Sequence, residues 1–184
     1  MHPLHELSPG ENPPDIINVV VEIPKGSRNK YELHKETGMF KLSRTLYSPM
    51  IYPGDYGFIP QTHYLDDDPL DVLVILDEPT RVGCVIHARP IGIFRMLDQS
   101  QHDDKILCVP ATNPRFRHWQ DIDDMSEHAQ DEIAHFFATY KDLEGTSVRG
   151  LGWKGAKNAK RQIELALELY REKYAKAGPA AFCP

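Results

Sequence analysis

Short apolar stretches separated by turn-forming residues make up the first two thirds of the chain. After an irregular arm over residues 1–15, positions 16–23 are rich in β-branched residues and predict a strand, which ends before Pro24. Further strands are predicted at 30–33, 40–44, 72–76, 85–96 and 105–109. Their spacing favours a compact β-barrel or β-sandwich.

The apolar period changes after residue 124. Apolar residues then recur at i, i+3, i+4 and i+7, which predicts a helix with one buried face: Ile133, Phe136, Phe137 and Tyr140. Asp124 and Glu127 resemble its N-cap and the partner three residues on. A second helix is predicted from the spacing of Ile163, Ala166, Leu167, Tyr170 and Tyr174, with Gly178 and Pro179 ending it. Strands followed by helices indicate the α+β class.

Length and composition fit a globular protein. A chain of 184 residues is typical of one domain, and we expect that domain to span 1–184 with a tail at 179–184. The longest apolar runs are far shorter than a membrane span requires. Residues 1–14 lack the basic and apolar segments of a secretory signal. We therefore expect a cytoplasmic protein that does not interact with a membrane.

Charge, cysteine and histidine patterns disfavour several other classes. A net charge of -6 and a pI near 5.8 would repel nucleic acid. Cys84, Cys108 and Cys183 form no CxxC pair, which argues against a disulfide framework and against structural zinc. The nine histidines include no HxH or HExxH arrangement, and no GxSxG occurs. Zinc hydrolase and serine nucleophile chemistry are therefore not supported.

The densest chemical signal is a group of carboxylates directly before an apolar strand: Asp66, Asp67, Asp68 and Asp71. Such crowded like charges repel, and a hard divalent cation with oxygen ligands would convert the repulsion into binding. A solvated acidic turn explains the segment equally well when it is taken alone. An EF-hand loop fits poorly, because Asp71 stands where the loop requires glycine. Magnesium therefore fits better than a calcium sensor.

A second acidic group precedes the strand at 105–109 and contains Asp98, Asp103 and Asp104. Alone, it is typical of a charged hairpin turn. Two acidic groups at strand ends of one small barrel could face each other and supply oxygen ligands to more than one magnesium ion.

Isolated cations and phenols could hold an anionic substrate opposite these carboxylates. Lys30, Arg44 and Lys141 are each ordinary surface residues when considered singly. Together they suit a metal-bound phosphate, since arginine can grip two oxygens and lysine acts as a point charge. Tyr52 and Tyr56 lie in a turn rich in proline and glycine. Their rings could fill the core, their hydroxyls could donate to phosphate, and the sequence leaves both open.

With these residues in these positions, the chain resembles the family I soluble inorganic pyrophosphatases of prokaryotic type. The segment Asp-Asp-Asp-Pro-Leu-Asp-Val at 66–72 matches that family's signature at every defining position. The resemblance also covers Lys30-Tyr31-Glu32, Arg44, Tyr52-Pro53 with Tyr56-Gly57, Asp98 with Asp103 and Lys105, and the stretch 135–144. It runs in order from about residue 16 to 175. It implies a five-stranded, OB-like closed β-barrel flanked by two main C-terminal helices, with the site in the barrel mouth.

The resemblance also implies an activity, its cofactors and its residues. The activity is hydrolysis of magnesium pyrophosphate to two orthophosphates with several Mg²⁺ ions per site, for which Mn²⁺ or other divalent metals are possible substitutes. Asp66, Asp71 and Asp103 would bind the tightly held ion, Asp98 would serve further ions, and Glu22 would lie in the same acidic cavity. Asp68 resembles the general base for a water whose pKa two metals lower. The phosphate-holding positions are matched by Lys30, Arg44, Tyr56, Lys105, Tyr140 and Lys141, with Glu32 and Tyr52 in support.

The resemblance implies a homohexamer. The sequence departs from the family pattern at two positions. Asp67 stands where a glycine is common in bacterial relatives, and the signature tolerates aspartate. Thr139 stands where some hexameric relatives place a histidine, one turn from the residue matching His135, so the resemblance does not extend to a hexamer contact made by that histidine.

Two other interpretations compete, one based on the barrel fold and one based on a glycine motif. A non-catalytic OB-type binding module would bind nucleic acid through basic and aromatic faces, but the strand ends here carry carboxylates. The stretch 150–155 formally satisfies GxGxxG, yet no strand can follow it to complete a dinucleotide-binding unit. A glycine-rich turn around a packed Trp153 fits that stretch better.

Overall fold

The structure is a computed structural model and describes residues 2–175. In the described chain a seven-stranded sheet contains β1 (Ile17–Ile23), β4 (Asp55–Phe58), β5 (Asp71–Val74), β6 (Val85–Asp98), β7 (Gln101–His102), β8 (Lys105–Pro110) and β9 (Val148–Gly155). A separate hairpin is formed by β2 (Asn29–His34) and β3 (Met39–Thr45). The α-helices are α1 (Glu127–Thr139) and α2 (Ala156–Ala175).

Five strands close into a ring, because β1, β4, β5, β8 and β6 pair in that order and β6 pairs back with β1. All these pairs are antiparallel except β5 with β8, which is parallel. The α+β class and the five-stranded OB-like barrel with two flanking helices are therefore confirmed. The predicted strands at 16–23, 30–33, 40–44, 72–76, 85–96 and 105–109 each correspond to an observed strand within a few residues.

Strand β4 lies where the sequence predicted a turn. Gly57 pairs with Val21, and a Cβ built on Gly57 would lie 1.9 Å from Val20 O. Only glycine therefore allows β4 to approach β1 this closely. The glycine that suggested a turn is a requirement of strand pairing.

Strand β9 is a second correction, because the predicted glycine-rich turn at 150–155 is part of an extended strand paired with β6. Trp153 does pack, with its ring centroid 5.0 Å from that of Phe94. A Cβ on Gly150 would lie 3.0 Å from Phe94 Cζ, so the absence of a side chain there leaves room for the aromatic ring.

Each helix covers one part of the core. Helix α2 buries Ala159, Ile163 and Ala166 against the barrel interior, whereas α1 packs on a second, largely aromatic cluster. The N-cap of α1 is Ser126, which accepts a hydrogen bond from Ala129 N. The predicted cap Asp124 is wrong, because its carboxylate caps the 3-10 turn Ile122–Asp124 by accepting from the backbone N–H of the N-cap residue Asp121. The predicted end of the second helix at 178–179 lies outside the described residues.

The arm before β1 is irregular as predicted, and it is docked on the barrel. Leu4 is buried with Val20, Leu33 and Phe58, and its carbonyl accepts a hydrogen bond from Gln61 N at 2.8 Å. Among the residues that the structure describes, neither helix is long and apolar enough to cross a membrane.

Candidate active site

The starts of two parallel strands bring the acidic groups together. Asp71 is the first residue of β5 and pairs with Lys105, the first residue of β8. Asp103 lies two residues before Lys105. Asp66 lies in the loop that leads into β5. Carboxylate oxygens of Asp66, Asp71 and Asp103 all lie within 4.8 Å of one another. The predicted meeting of the two acidic groups is therefore observed.

Burial makes this carboxylate cluster electrostatically unfavourable by itself. Burial, followed by the charges of Asp71 and Asp103, raises the pKa of Asp66 to about 7, against the smaller lowering effects of a backbone hydrogen bond and of Lys105. Burial likewise raises the pKa of Asp71. The pKa of Glu22 rises to about 8, mainly by burial and against a 2.7 Å hydrogen bond from Leu33 N. Such a donor set suits a hard divalent cation, which would stabilise the charged forms.

Lys105 neutralises part of the cluster. Its ammonium lies 2.5 Å from Asp71 Oδ2 and forms a second ion pair with Asp103, and its side chain is 3% exposed. Burial lowers the pKa of Lys105, but Asp71 and Asp103 raise it by more, so the net pKa lies above the usual range.

A further aspartate has an orphaned oxygen. Asp98, at the end of β6, pairs with Lys141 through Oδ2. Its Oδ1 is buried and has no hydrogen-bond partner within the described chain. An oxygen in that state is suited to a cation or a donor from a ligand.

Tyr52, Tyr56 and Tyr140 are buried. The sequence left open whether Tyr56 fills the core or uses its hydroxyl in the site. Its ring packs between those of Tyr52 and Phe137, and its hydroxyl donates to Asp71 Oδ2 at 2.5 Å. Tyr56 therefore fills the core and contacts the carboxylate cluster as well. Tyr140 stacks on Phe136 with ring centroids 5.1 Å apart, and Tyr52 packs on the same ring. Burial raises the pKa of all three phenols, which keeps them protonated donors.

A cavity of about 510 Å³ collects most of the predicted residues. Its lining includes Lys30, Tyr56, Asp66, Asp68, Asp71, Asp98, Asp103, Lys105, Tyr140 and Lys141. A neighbouring cavity of about 400 Å³ shares Lys30, Tyr56, Asp68 and Asp71 and adds Glu22 and Glu32. Arg44 and Tyr52 are outside both linings. Tyr52 lies behind Tyr56, and Arg44 forms a two-point ion pair with Glu144, with distances of 3.0 and 2.7 Å.

Sequence reasoning missed a cation beside Asp68. The side chain of Asp68 is 57% exposed and pairs with Lys35, in the turn that joins β2 to β3. Lys35 Nζ also donates to Asp67 O at 3.1 Å. Gln99, in the turn after β6, and Gln101, the first residue of β7, line the larger cavity and were not predicted either. The contacts of Lys35 join distant segments, and no local spacing signals them.

Comparison with known proteins gives one consistent result. The family model described as inorganic pyrophosphatase matches residues 19–171. The inorganic pyrophosphatase of Haloferax volcanii is 49% identical over 171 residues, covering 92% of this chain and 97% of that protein. That of Streptomyces coelicolor is 53% identical over 156 residues, covering 84% and 96%. The crystal structure of inorganic pyrophosphatase from Thermus thermophilus superposes with a TM-score of 0.88 at 40% identity, covering 92% of this chain and 99% of that one. The chain belongs to the inorganic pyrophosphatase family.

Proposed function

We propose that the chain hydrolyses inorganic pyrophosphate to two orthophosphates in a reaction that requires Mg²⁺. The observation that carries the proposal is the shared cavity, in which the cluster of Asp66, Asp71 and Asp103 lies together with the ammonium groups of Lys30 and Lys141. Carboxylates for metal and cations for phosphate are the two requirements of phosphoryl transfer to water.

The residues present fit magnesium. Asp66, Asp71 and Asp103 supply hard oxygen ligands, and the raised pKa values of the first two reflect burial and neighbouring like charges that Lys105 compensates only in part. Asp98, through its unpartnered Oδ1, and Glu22 would hold additional ions. When bound, such ions neutralise substrate charge and lower the pKa of water, and Mn²⁺ could supply the same chemistry.

Asp68 is the proposed general base. Its carboxylate lines both cavities and is half exposed, so a water molecule can reach it. It takes the proton as the water oxygen attacks phosphorus and the bridging phosphorus–oxygen bond breaks. The products are two phosphates, and no covalent intermediate with the protein is required.

The proposed phosphate ligands are the cations and phenols of the cavity together with Arg44, which pairs across the β2–β3 hairpin with the cavity residue Lys30. Lys30, Lys105 and Lys141 supply point charges, and Arg44 offers a planar fork that can grip two oxygens. The hydroxyls of Tyr56 and Tyr140 are donors held in place by ring packing. Their combined charge stabilises the negative charge that grows on the leaving phosphate.

Two residues support these ligands. Glu32 Oε1 lies 2.9 Å from Lys30 Nζ and would orient that ammonium. The Tyr52 ring, whose centroid is 5.4 Å from that of Tyr56, would fix the Tyr56 hydroxyl against Asp71.

We also propose a homohexamer of single-domain subunits acting in the cytoplasm, supported by the resemblance to the prokaryotic type. Thr139 Oγ1 donates to His135 O within its own helix at 2.7 Å. The side chain is thus used locally, and hexamer contacts would have to come from other residues. Sedimentation of the purified chain tests the subunit number.

The experiment that tests the function measures phosphate release from magnesium pyrophosphate, with and without a chelator, for the wild-type protein and two variants. Asp68→Asn keeps the size of the side chain and removes the base, and we expect activity to fall by roughly 100-fold or more. Asp67→Asn is the matched control, because that neighbouring side chain is 82% exposed and pairs with Lys173. It should retain activity. Folded protein that releases no phosphate with any of several divalent metals would favour the non-catalytic binding module instead.

A further inference from the structure

A buried hydrogen bond joins the two loops that carry the proposed metal ligands. Tyr64 lies two residues before Asp66, and Asp104 directly follows Asp103. The Tyr64 hydroxyl donates to Asp104 Oδ2 at 2.6 Å. Both residues are buried, with 3% and 1% of their surfaces exposed. Neither lines the cavity, so a role toward the site must act through their neighbours.

On one side, Tyr64 organises the loop that contains Asp66 and Asp68. Its backbone N–H donates to Asp68 O at 2.8 Å, and its carbonyl accepts from Asp67 N at 3.2 Å. The loop is therefore closed on the backbone of Tyr64. A displacement of the Tyr64 ring would be transmitted to both aspartates.

On the other side, Asp104 is fastened to β6. Its Oδ1 accepts from Met96 N at 3.1 Å, and Arg95 Nε lies 2.8 Å from Oδ2. The carbonyl of Met96 in turn accepts from Asp103 N at 3.1 Å. Both polar groups of the Met96 backbone thus hold this turn, which fixes the backbone of Asp103.

The bond is suited to a permanent structural link. A hydroxyl that donates to a buried carboxylate forms a stronger hydrogen bond than a neutral pair does, and leaving that carboxylate unsatisfied is unfavourable. Gln162 Oε1 of α2 lies 3.2 Å from the same phenol oxygen, so the link is also packed under a helix. Metal ligands must be held within a fraction of an ångström of their productive positions, and such outer contacts determine that precision.

We propose that Tyr64 and Asp104 are positioning residues that set the separation between Asp66 and Asp103. Their hydrogen bond locks the loop of one carboxylate to the loop of the other, so that the cluster is preorganised for a divalent cation. This inference rests on the proposed function, since it assumes that Asp66 and Asp103 bind metal.

The test is a calorimetric titration of the chelator-treated protein with Mg²⁺, without substrate. Tyr64→Phe retains the buried ring and removes only the hydroxyl. We expect it to raise the Mg²⁺ dissociation constant about tenfold, the effect typical of losing an outer contact to a metal ligand. Asp104→Asn should act in the same direction. The matched control is Tyr170→Phe, which removes the hydroxyl of a partly buried tyrosine eight residues after Gln162 on α2. That hydroxyl lies 2.7 Å from His5 Nδ1, and its removal should leave the dissociation constant unchanged.

Urea unfolding with and without Mg²⁺ separates positioning from general stabilisation. If the bond preorganises the site, Mg²⁺ will stabilise wild type more than Tyr64→Phe, because ligand stabilisation follows affinity. An equal gain for both proteins, or an unchanged dissociation constant, would overturn the positioning role while leaving the proposed hydrolysis intact. A wild-type protein that binds no Mg²⁺ would overturn the metal site itself, and this inference with it.

Discussion

Lys105 Nζ lies 2.5 Å from Asp71 Oδ2, at the point where the only parallel pair of strands in the described barrel begins. Its second ion pair, with Asp103, places one ammonium between two members of the carboxylate cluster. In the metal-free chain this lysine therefore provides the positive charge that compensates those aspartates.

Lys105→Met should consequently destabilise the metal-free protein. We expect the free energy of unfolding in chelator to fall by about 3 kcal/mol, because a buried ion pair has lost one partner. Mg²⁺ should restore part of the loss by binding the same carboxylates. Urea unfolding with and without Mg²⁺ measures both effects. Lys157→Met, at an exposed position of α2, is the control. Wild-type stability of the Lys105 variant in chelator would show that Lys105 does not compensate the cluster.

Arg44 provides a test of the proposed phosphate ligands. Its guanidinium uses two nitrogens at once, with Nε donating to Glu144 Oε1 at 3.0 Å and Nη2 lying 2.7 Å from Oε2. Lysine cannot reproduce this two-point geometry. A lysine at position 44 would lose the fork that Glu144 holds in place, and with it one of the two proposed hydrogen bonds to phosphate. Arg44→Lys should therefore raise KM for magnesium pyrophosphate about tenfold, the effect of losing one charged hydrogen bond, with a smaller effect on kcat. Steady-state kinetics measure the split. Arg115→Lys, at an exposed position, should change neither value, and a wild-type KM for the Arg44 variant would remove Arg44 from the site.

The barrel was predictable because its strands carry their own signal. β1 and β8 are short apolar runs with turn residues at their ends, and such runs are local features of the sequence. β4 and β9 were missed for the opposite reason. Their glycines serve contacts with other segments, as the 1.9 Å approach to Val20 O at Gly57 shows, and the sequence around them resembles a turn. Tertiary pairing decided these elements.

The site, like the fold, contains some features that the sequence predicts and others that it does not. The acidic segments before β5 and β8 are dense local signals, and the parallel pairing of those strands places them together. Lys35 and Tyr64 contact the same region through single side chains on distant segments, which leave no spacing to detect. The roles of the aspartates and cations remain predictions that the variants above test.

Asp67 makes a separate prediction about stability, because its backbone φ is 70°. Side chains with a Cβ disfavour that conformation, aspartate less than most, whereas glycine adopts it readily. The carboxylate offsets part of this cost through Lys173 Nζ, which lies 2.6 Å away. Asp67→Ala should lower the free energy of unfolding by about 1 kcal/mol, since it keeps the strain and loses the ion pair. Asp67→Gly should unfold near the wild-type urea midpoint. Equal losses for both variants would show that the ion pair, and not φ, determines stability here.

The docked arm contains a histidine that favours the neutral form. Burial and, to a smaller extent, the charge of His2 lower the pKa of His5 from 6.5 to about 4, against the opposing charge of Glu6. His5 Nδ1 lies 2.7 Å from the hydroxyl of Tyr170 on α2, and the Tyr174 ring packs edge-on against the imidazole with ring centroids 5.1 Å apart. Protonation of His5 would place a positive charge in this partly buried contact.

His5 should therefore make the protein less stable in mild acid. Between about pH 6.5 and pH 4 the unfolded chain binds a proton at this residue that the folded chain does not. The free energy of unfolding therefore falls as the pH falls through this range, and the contribution of neutral His5 is fully present above pH 6.5. His5→Gln removes the titration, and its urea midpoint should decline less than that of wild type between neutral pH and mild acid. His128→Gln, at an exposed position of α1, should follow wild type. If His5→Gln declines in parallel with wild type, the arm does not sense pH through His5, and the acid sensitivity of the fold arises elsewhere.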